Sequence, residues 1–238
     1  FLDDLTEKEI QKLKSKLETD TLDLSSFRPK ARFVVDFPVC IDSAFAEFDD
    51  YLIERIQSHT ELPVYIVSVA FSALTSIETA IWMPFVLFAL GYDNAATVMT
   101  NVLIILSLCS QIPKRFVWRA RPWMEDRAIG VRKDPTSGFP SRGVTCAVVF
   151  PTMILFAIET EGFHIPLWIY VVSVVALVIF TSFARINVGA HYPSDALGGM
   201  VLGIIVLCLS FHSLSIWNGL GCSSSDKYPV APELTLRP

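Results

Sequence analysis

Charge is scarce in this chain. Only 18% of its 238 residues are Asp, Glu, Lys or Arg, against about 25% in an ordinary soluble domain. That composition excludes a charge-rich disordered chain. A basic excess is missing too. The 24 acidic residues outnumber the 19 basic ones, for a net charge of −5, which argues against a general nucleic-acid-binding protein. Cysteine is sparse and odd in number, five in all, so a disulfide-stapled scaffold is excluded. Cys109, Cys146 and Cys208 sit inside apolar runs, where cysteine behaves as a small hydrophobe. Cys40 and Cys222 lie in polar flanks, and no two cysteines have metal-ligand spacing. With 11 glycines in the whole chain, collagen-like repeats are excluded as well.

Apolar residues are abundant: 52% of the chain is hydrophobic and the mean hydropathy is +0.49. They are gathered into runs. Leu62–Tyr92 contains one charged residue, Glu78, while 95–112, 144–158, 165–184 and 196–217 contain none. A helix needs about 20 apolar residues to cross a bilayer. Four of these runs are near that length. The first is too long for one straight span, and Thr75–Ser76, Glu78 and Pro84 are places where it would break into two helices. Several helices apolar on every side speak against a soluble bundle. The expectation is an all-α, polytopic helical membrane protein with five or six transmembrane helices.

The flanks are polar. Thr6 and Glu9 form a capping-box pattern ahead of Ile10, Leu13 and Leu17 at helical spacing, so a short amphipathic helix is expected over 7–18. Leu22–Pro38 reads as a loop. Phe45, Phe48, Leu52, Ile53 and Ile56 mark the apolar stripe of a second amphipathic helix, with Glu47, Asp49, Asp50, Glu54 and Arg55 assigned to its polar face. The division is 1–60 as an N-terminal extension, 61–220 as the transmembrane domain and 221–238 as a polar tail. The chain opens on Phe1 rather than Met and so reads as processed or partial. Its first 20 residues mix Lys with Asp and Glu and do not resemble a signal peptide.

Charge placement says more than total charge. The segment Lys114–Arg142 holds eight basic and three acidic residues. The hairpin over 144–184 brings Arg185 and His191 back to the same face. On the positive-inside rule that face would be cytosolic. Lys114, Arg121 and Pro122 make K-x6-R-P. Phe139-Pro140-Ser141-Arg142-Gly143 opens a helix. Arg185, His191 and Asp195 make R-x5-H-x3-D. Guanidinium forks and an ammonium gathered at one mouth suit phosphate, and a helix start adds free N–H groups. His191 with Asp195 four residues on suits a nucleophile or base held by a carboxylate. Each piece alone has a plainer reading: headgroup contacts for the cations, a structural histidine, and an aspartate that merely caps the last helix.

Together these motifs resemble the phosphatidic acid phosphatase type 2 (PAP2) superfamily, which also includes bacterial class A acid phosphatases and vanadium haloperoxidases. The likeness spans roughly 42–217. It implies that Lys114, Arg121 and Arg185 bind phosphate with help from Ser141 and the Gly143 amide. It further implies that His191 attacks phosphorus to give a phospho-histidine, that Asp195 orients His191, and that no metal or other cofactor is needed. The implied substrates are lipid phosphomonoesters and lipid diphosphates. The transmembrane character sets the haloperoxidases aside. Two positions depart from the pattern. Ala184 replaces a Ser, a minor change. Gly143 stands where the family has the His that protonates the leaving group. No other histidine replaces it: His164 lies about 30 Å along the helix, His212 is near the far face and His59 is outside the motifs. Arg142 stays protonated, and Tyr192 is a poor acid. A general acid contributes about 10²–10⁴-fold in rate. The reading that follows is a PAP2-like membrane protein with a lipid-phosphate site that is catalytically impaired or a pseudoenzyme, embedded among membrane lipids and a subunit of a larger membrane complex. The alternative is an active lipid phosphatase or diphosphatase.

Overall fold

The computed structural model describes residues 33–58, 61–129, 135–160 and 162–219. The helix expected over 7–18, the tail from 221, and His59, Arg132 and Lys133 lie outside them. Among the described residues the fold is all-α apart from one pair of two-residue strands. Helix α1 is Val39–Gln57, α2 Leu62–Leu74, α3 Ile77–Ala89, α4 Asp93–Phe116, α5 Arg142–Thr160, α6 Leu167–Asn187 and α7 Pro193–Gly219. Strand β1 (Val35–Asp36) lies in the stretch expected to be a loop and pairs in parallel with β2 (Val117–Trp118). The last four helices are long and apolar enough to cross a membrane, and the protein is an integral, multi-pass membrane protein.

The long apolar run breaks at Thr75–Ser76, between α2 and α3. Thr75 Oγ1 turns back to the Phe71 carbonyl at 3.0 Å, a bond that competes with the helical ladder. Pro84 sits within α3 without ending it. Helix α5 is the central post. It packs against α4, α6 and α7, and Val144, Cys146, Ala147, Val149 and Met153 are buried along it. Helix α7 comes close because Gly199 and Gly203 face it. A Cβ on Gly199 would lie 2.5 Å from the Ser141 carbonyl oxygen, and one on Gly203 would lie 2.7 Å from Val148 Cβ. Small residues of this kind let membrane helices pack backbone to backbone. Helix α6 shows the opposite face to its surroundings, with Leu167, Trp168, Val171, Val172, Val175 and Ile179 exposed, as a lipid-facing helix should.

The path of the chain fixes how often it crosses. Helix α1 packs against α6 and α7, and Gln57 at its end donates to the Asn187 carbonyl at 3.1 Å. So α1 lies at the end of the bundle where α4 finishes, α5 begins and α6 finishes. Helix α2 starts there and descends along α6, with Ser68 Oγ accepting from Asn187 Nδ2 at 2.9 Å and Phe71 facing Phe180 deeper down. Helix α3 continues to the start of α4 at the far end. Each of α2 and α3 has 13 residues, about 20 Å of helix, against about 30 Å of bilayer core. Neither reaches across alone, so the expectation is one interrupted traverse and, with α4 to α7, five crossings by the described residues. Cysteines placed singly at Glu47 and Asp126 in a cysteine-free background should react with an impermeant thiol reagent from one side of sealed vesicles, and His164→Cys from the other. Labelling of Glu47→Cys from the His164 side would show that α2 and α3 cross separately.

Candidate active site

Four segments meet at the α1 end of the bundle: the last turn of α4, the strand and turn over 117–129, the loop 135–141 leading into α5, and the α6–α7 turn. Cations hold the first three together. Lys114 Nζ donates to the Ser137 carbonyl at 3.0 Å. Arg121, buried, donates from Nε to the Thr136 carbonyl and from Nη2 to Thr136 Oγ1, both at 2.8 Å, and from Nη1 to the Ala190 carbonyl at 3.3 Å. Ser141 is fully buried, donates its N–H to the Asp195 carbonyl at 3.1 Å, and has an Oγ with no hydrogen-bond partner. The first helical bond of α5 runs from Thr145 to Ser141, so the N–H groups of 142–144 have no carbonyl of their own helix to meet. Lys114, Arg121, Ser141, Gly143, Arg185, His191 and Asp195 are thus brought to one place from segments as much as 81 residues apart in sequence.

His191 is buried at 3% exposure. Its Nδ1 lies 2.7 Å from the Gly138 carbonyl oxygen. A carbonyl only accepts, so Nδ1 carries the proton and Nε2 keeps its lone pair. The sequence led us to expect Asp195 in that role. Asp195 Oδ2 is 3.7 Å from Nδ1, and its oxygens are otherwise engaged. Oδ2 accepts the Tyr192 N–H at 2.9 Å, closing the start of α7 in capping-box fashion, and Oδ1 accepts Arg119 Nη1 at 2.6 Å. At 3.7 Å Asp195 acts on His191 through its charge. Its Oδ2 would lie 3.2 Å from a Cβ on residue 138, with the Ala120 carbonyl at 3.3 Å, so a side chain there would crowd both by a few tenths of an ångström. Burial pushes the His191 imidazole down to about 3, and the charges of Arg121 and Lys114 push the same way, against Asp195. The ring is neutral at physiological pH.

Arg119 and Asp49 carry roles that motif spacing did not assign. All five N–H groups of the buried Arg119 are engaged. Nε and Nη2 reach Asp42 Oδ1 at 3.0 and 2.7 Å, Nη2 reaches Asp49 Oδ2 at 3.0 Å, and Nη1 reaches Ser194 Oγ at 2.8 Å and Asp195 Oδ1 at 2.6 Å. The rings of Phe37 and Tyr192 lie 4.6 and 4.5 Å from its Cζ. Asp49, expected on the polar face of α1, is 1% exposed. Its Oδ1 accepts the Ser194 N–H at 2.8 Å and its Oδ2 accepts Ser194 Oγ, so α1 caps α7. A signal was present in the sequence, since Asp49 is four residues from Phe45 and from Ile53, inside the apolar stripe. At the rim, Tyr192 Oη donates to Glu125 Oε2 at 2.6 Å, and burial, with Glu125, raises the Tyr192 phenol well above its ordinary range, leaving it unfit as an acid.

Two outcomes follow. Asp49→Ala leaves Arg119 and the α7 start uncompensated and should destabilise the detergent-solubilised protein by about 3–5 kcal/mol, with Asp49→Asn losing less, read by denaturant or thermal unfolding. His191 gives stability a pH slope. Its folded-state pKa is depressed, so its contribution is full above about 6.5 and falls as pH drops from there toward 3, by about 1.4 kcal/mol per unit. His191→Asn should flatten the unfolding profile between pH 6 and 4; an unchanged slope would mean that the ring is not buried neutral.

The pattern of the PAP2 superfamily matches residues 95–218. Undecaprenyl-diphosphatase BcrC of Bacillus subtilis (strain 168) is 32% identical over 156 residues, covering 63% of this chain and 72% of that protein. Two solved structures share the fold. The transmembrane PAP2-type phosphatidylglycerolphosphate phosphatase from Bacillus subtilis gives a TM-score of 0.56 at 17% identity, over 85% of this chain and 96% of its own. LpxE of Aquifex aeolicus gives 0.52 at 19% identity, over 68% and 93%.

Proposed function

The chain belongs to the PAP2 superfamily, and from that premise we propose that it is a membrane lipid phosphatase selective for diphosphates, with His191 as nucleophile. One observation carries the reading: a buried, neutral imidazole whose Nδ1 proton is held by the Gly138 carbonyl. That leaves Nε2 to attack, beside Lys114, Arg121 and Arg185. Nε2 would form a bond to the terminal phosphorus while the bond from that phosphorus to the bridging oxygen breaks. Water would then release inorganic phosphate from the phospho-histidine and return the ring to its neutral form. Ser141 and the first-turn N–H groups of α5 would hold the phosphoryl oxygens. Asp195 and Arg119 would position the turn that carries His191.

The choice of diphosphate rests on the leaving group. Gly143 has no proton to give, and a missing general acid costs about 10²–10⁴-fold. An alkoxide, the leaving group of a lipid monophosphate, needs that proton. A lipid phosphate, the leaving group of a lipid diphosphate, is a far weaker base and departs without it. BcrC is named for a lipid diphosphate, in keeping with this choice. Gly143 also favours a second reading: a non-catalytic protein that holds a lipid phosphate, as a subunit of a larger membrane complex.

Phosphate release by detergent-purified protein separates the two. A polyprenyl diphosphate should be turned over at least about 10²-fold faster than a lipid monophosphate, and His191→Ala should abolish both. Absence of turnover on either substrate, with binding of both retained, would establish the non-catalytic reading instead.

A further inference from the structure

Position 143 is not a hole. A Cβ built there would lie 2.5 Å from Arg185 Nε, 2.7 Å from Nη2 and 2.9 Å from Cζ. The guanidinium occupies the space that any side chain at 143 would need. Arg185 comes from the last turn of α6, and its Nη2 donates to the Ser72 carbonyl at 3.0 Å. Ser72 is in the last turn of α2, where carbonyls have no donor from their own helix and the helix dipole is negative. That helix end lies beside α6, just before the break at Thr75–Ser76. Close by, the buried Ser141 Oγ has no partner. A residue with no side chain, a helix break and a long cation thus coincide on one guanidinium.

We infer that Gly143 and the carbonyl end of α2 form a seat for Arg185. They are positioning residues, and the glycine is a requirement for that seat, not only the loss of an acid. The guanidinium lies against the first turn of α5, where a phosphoryl group meets the free N–H groups. Arginine keeps its charge at every working pH, so the seat supplies a fixed cation and no proton. This deepens the diphosphatase reading and rests on it for the identity of the ligand: a fixed cation serves a leaving group that departs as an anion. Ordinary contact begins at 3.4 Å, so even a methyl group at 143 moves the guanidinium by about 1 Å, and a misplacement of that size in a site can cost about 10²-fold.

The test is a double-mutant cycle with Gly143→Ala, Arg185→Gln and the pair together in the full chain. Affinity for orthovanadate, a phosphate analogue, is read first, because it needs no turnover; KM and kcat for a lipid diphosphate are read second. Gly143→Ala should weaken orthovanadate binding by about tenfold or more, and KM should rise more than kcat falls. In the Arg185→Gln background the same change should cost nothing further. If Gly143→Ala alone fails to fold, adding Arg185→Gln should restore folding, since the clash is gone. Additive losses, an unaffected Gly143→Ala, a double variant no better folded than Gly143→Ala, or an unaltered chain that does not bind orthovanadate would each overturn the seat. A coupled orthovanadate cycle in a protein that turns over nothing would leave the seat standing and sink the diphosphatase reading alone.

Discussion

The site depends on one buried guanidinium. Arg119 is 6% exposed, and a cation taken out of water must be met by charge and hydrogen bonds or it unfolds its surroundings. Here Asp42 and Asp49 come from α1, Asp195 and Ser194 from the start of α7, and all five donors are satisfied. That requirement brings α1, the strand after α4 and the α6–α7 turn to one point. The backbone of Arg119 reaches the same loop: its carbonyl accepts the Gly138 N–H at 2.9 Å, and the Gly138 carbonyl in turn meets His191 Nδ1.

The cations at this end of the bundle are held in two ways. Three carboxylates, Asp42, Asp49 and Asp195, surround Arg119. Lys114, Arg121 and Arg185 each donate to a backbone carbonyl. A buried imidazole among such cations stays neutral because a further positive charge there is opposed both by desolvation and by its neighbours. The field that would draw in an anion therefore also keeps the proposed nucleophile unprotonated. Arg185 leans on α2 and Gly143, so the interrupted traverse belongs to the site's architecture as much as to the membrane's.

Much of this was legible in the sequence. Uncharged runs marked the long helices, Thr75–Ser76 marked the break, and the spacing of Lys114, Arg121, Arg185 and His191 marked residues that the fold gathers at one end of the bundle, because apolar runs and charge clusters are local patterns. Contacts between distant residues were not legible. Helical spacing placed Asp49 in the apolar stripe, but its charge argued for the polar face; only the buried partners Arg119 and Ser194 decide the matter. Asp195 four residues after His191 suggested a direct bond, whereas the cap it forms on α7 and its pairing with Arg119 hold it at 3.7 Å. Gly143 read as a lost acid, since nothing in the spacing shows that a guanidinium 42 residues later in the chain fills its place.

Everything proposed for the site turns on a neutral His191 with its proton on Nδ1 and its lone pair on Nε2. Nitrogen-15 NMR of histidine-labelled protein in detergent, with His191→Asn identifying the signal among the four histidines, reads that state directly. The Nδ1–H tautomer should be present at pH 6, with protonation only as pH approaches about 3. An imidazolium at pH 6, or a proton on Nε2, would rule that state out.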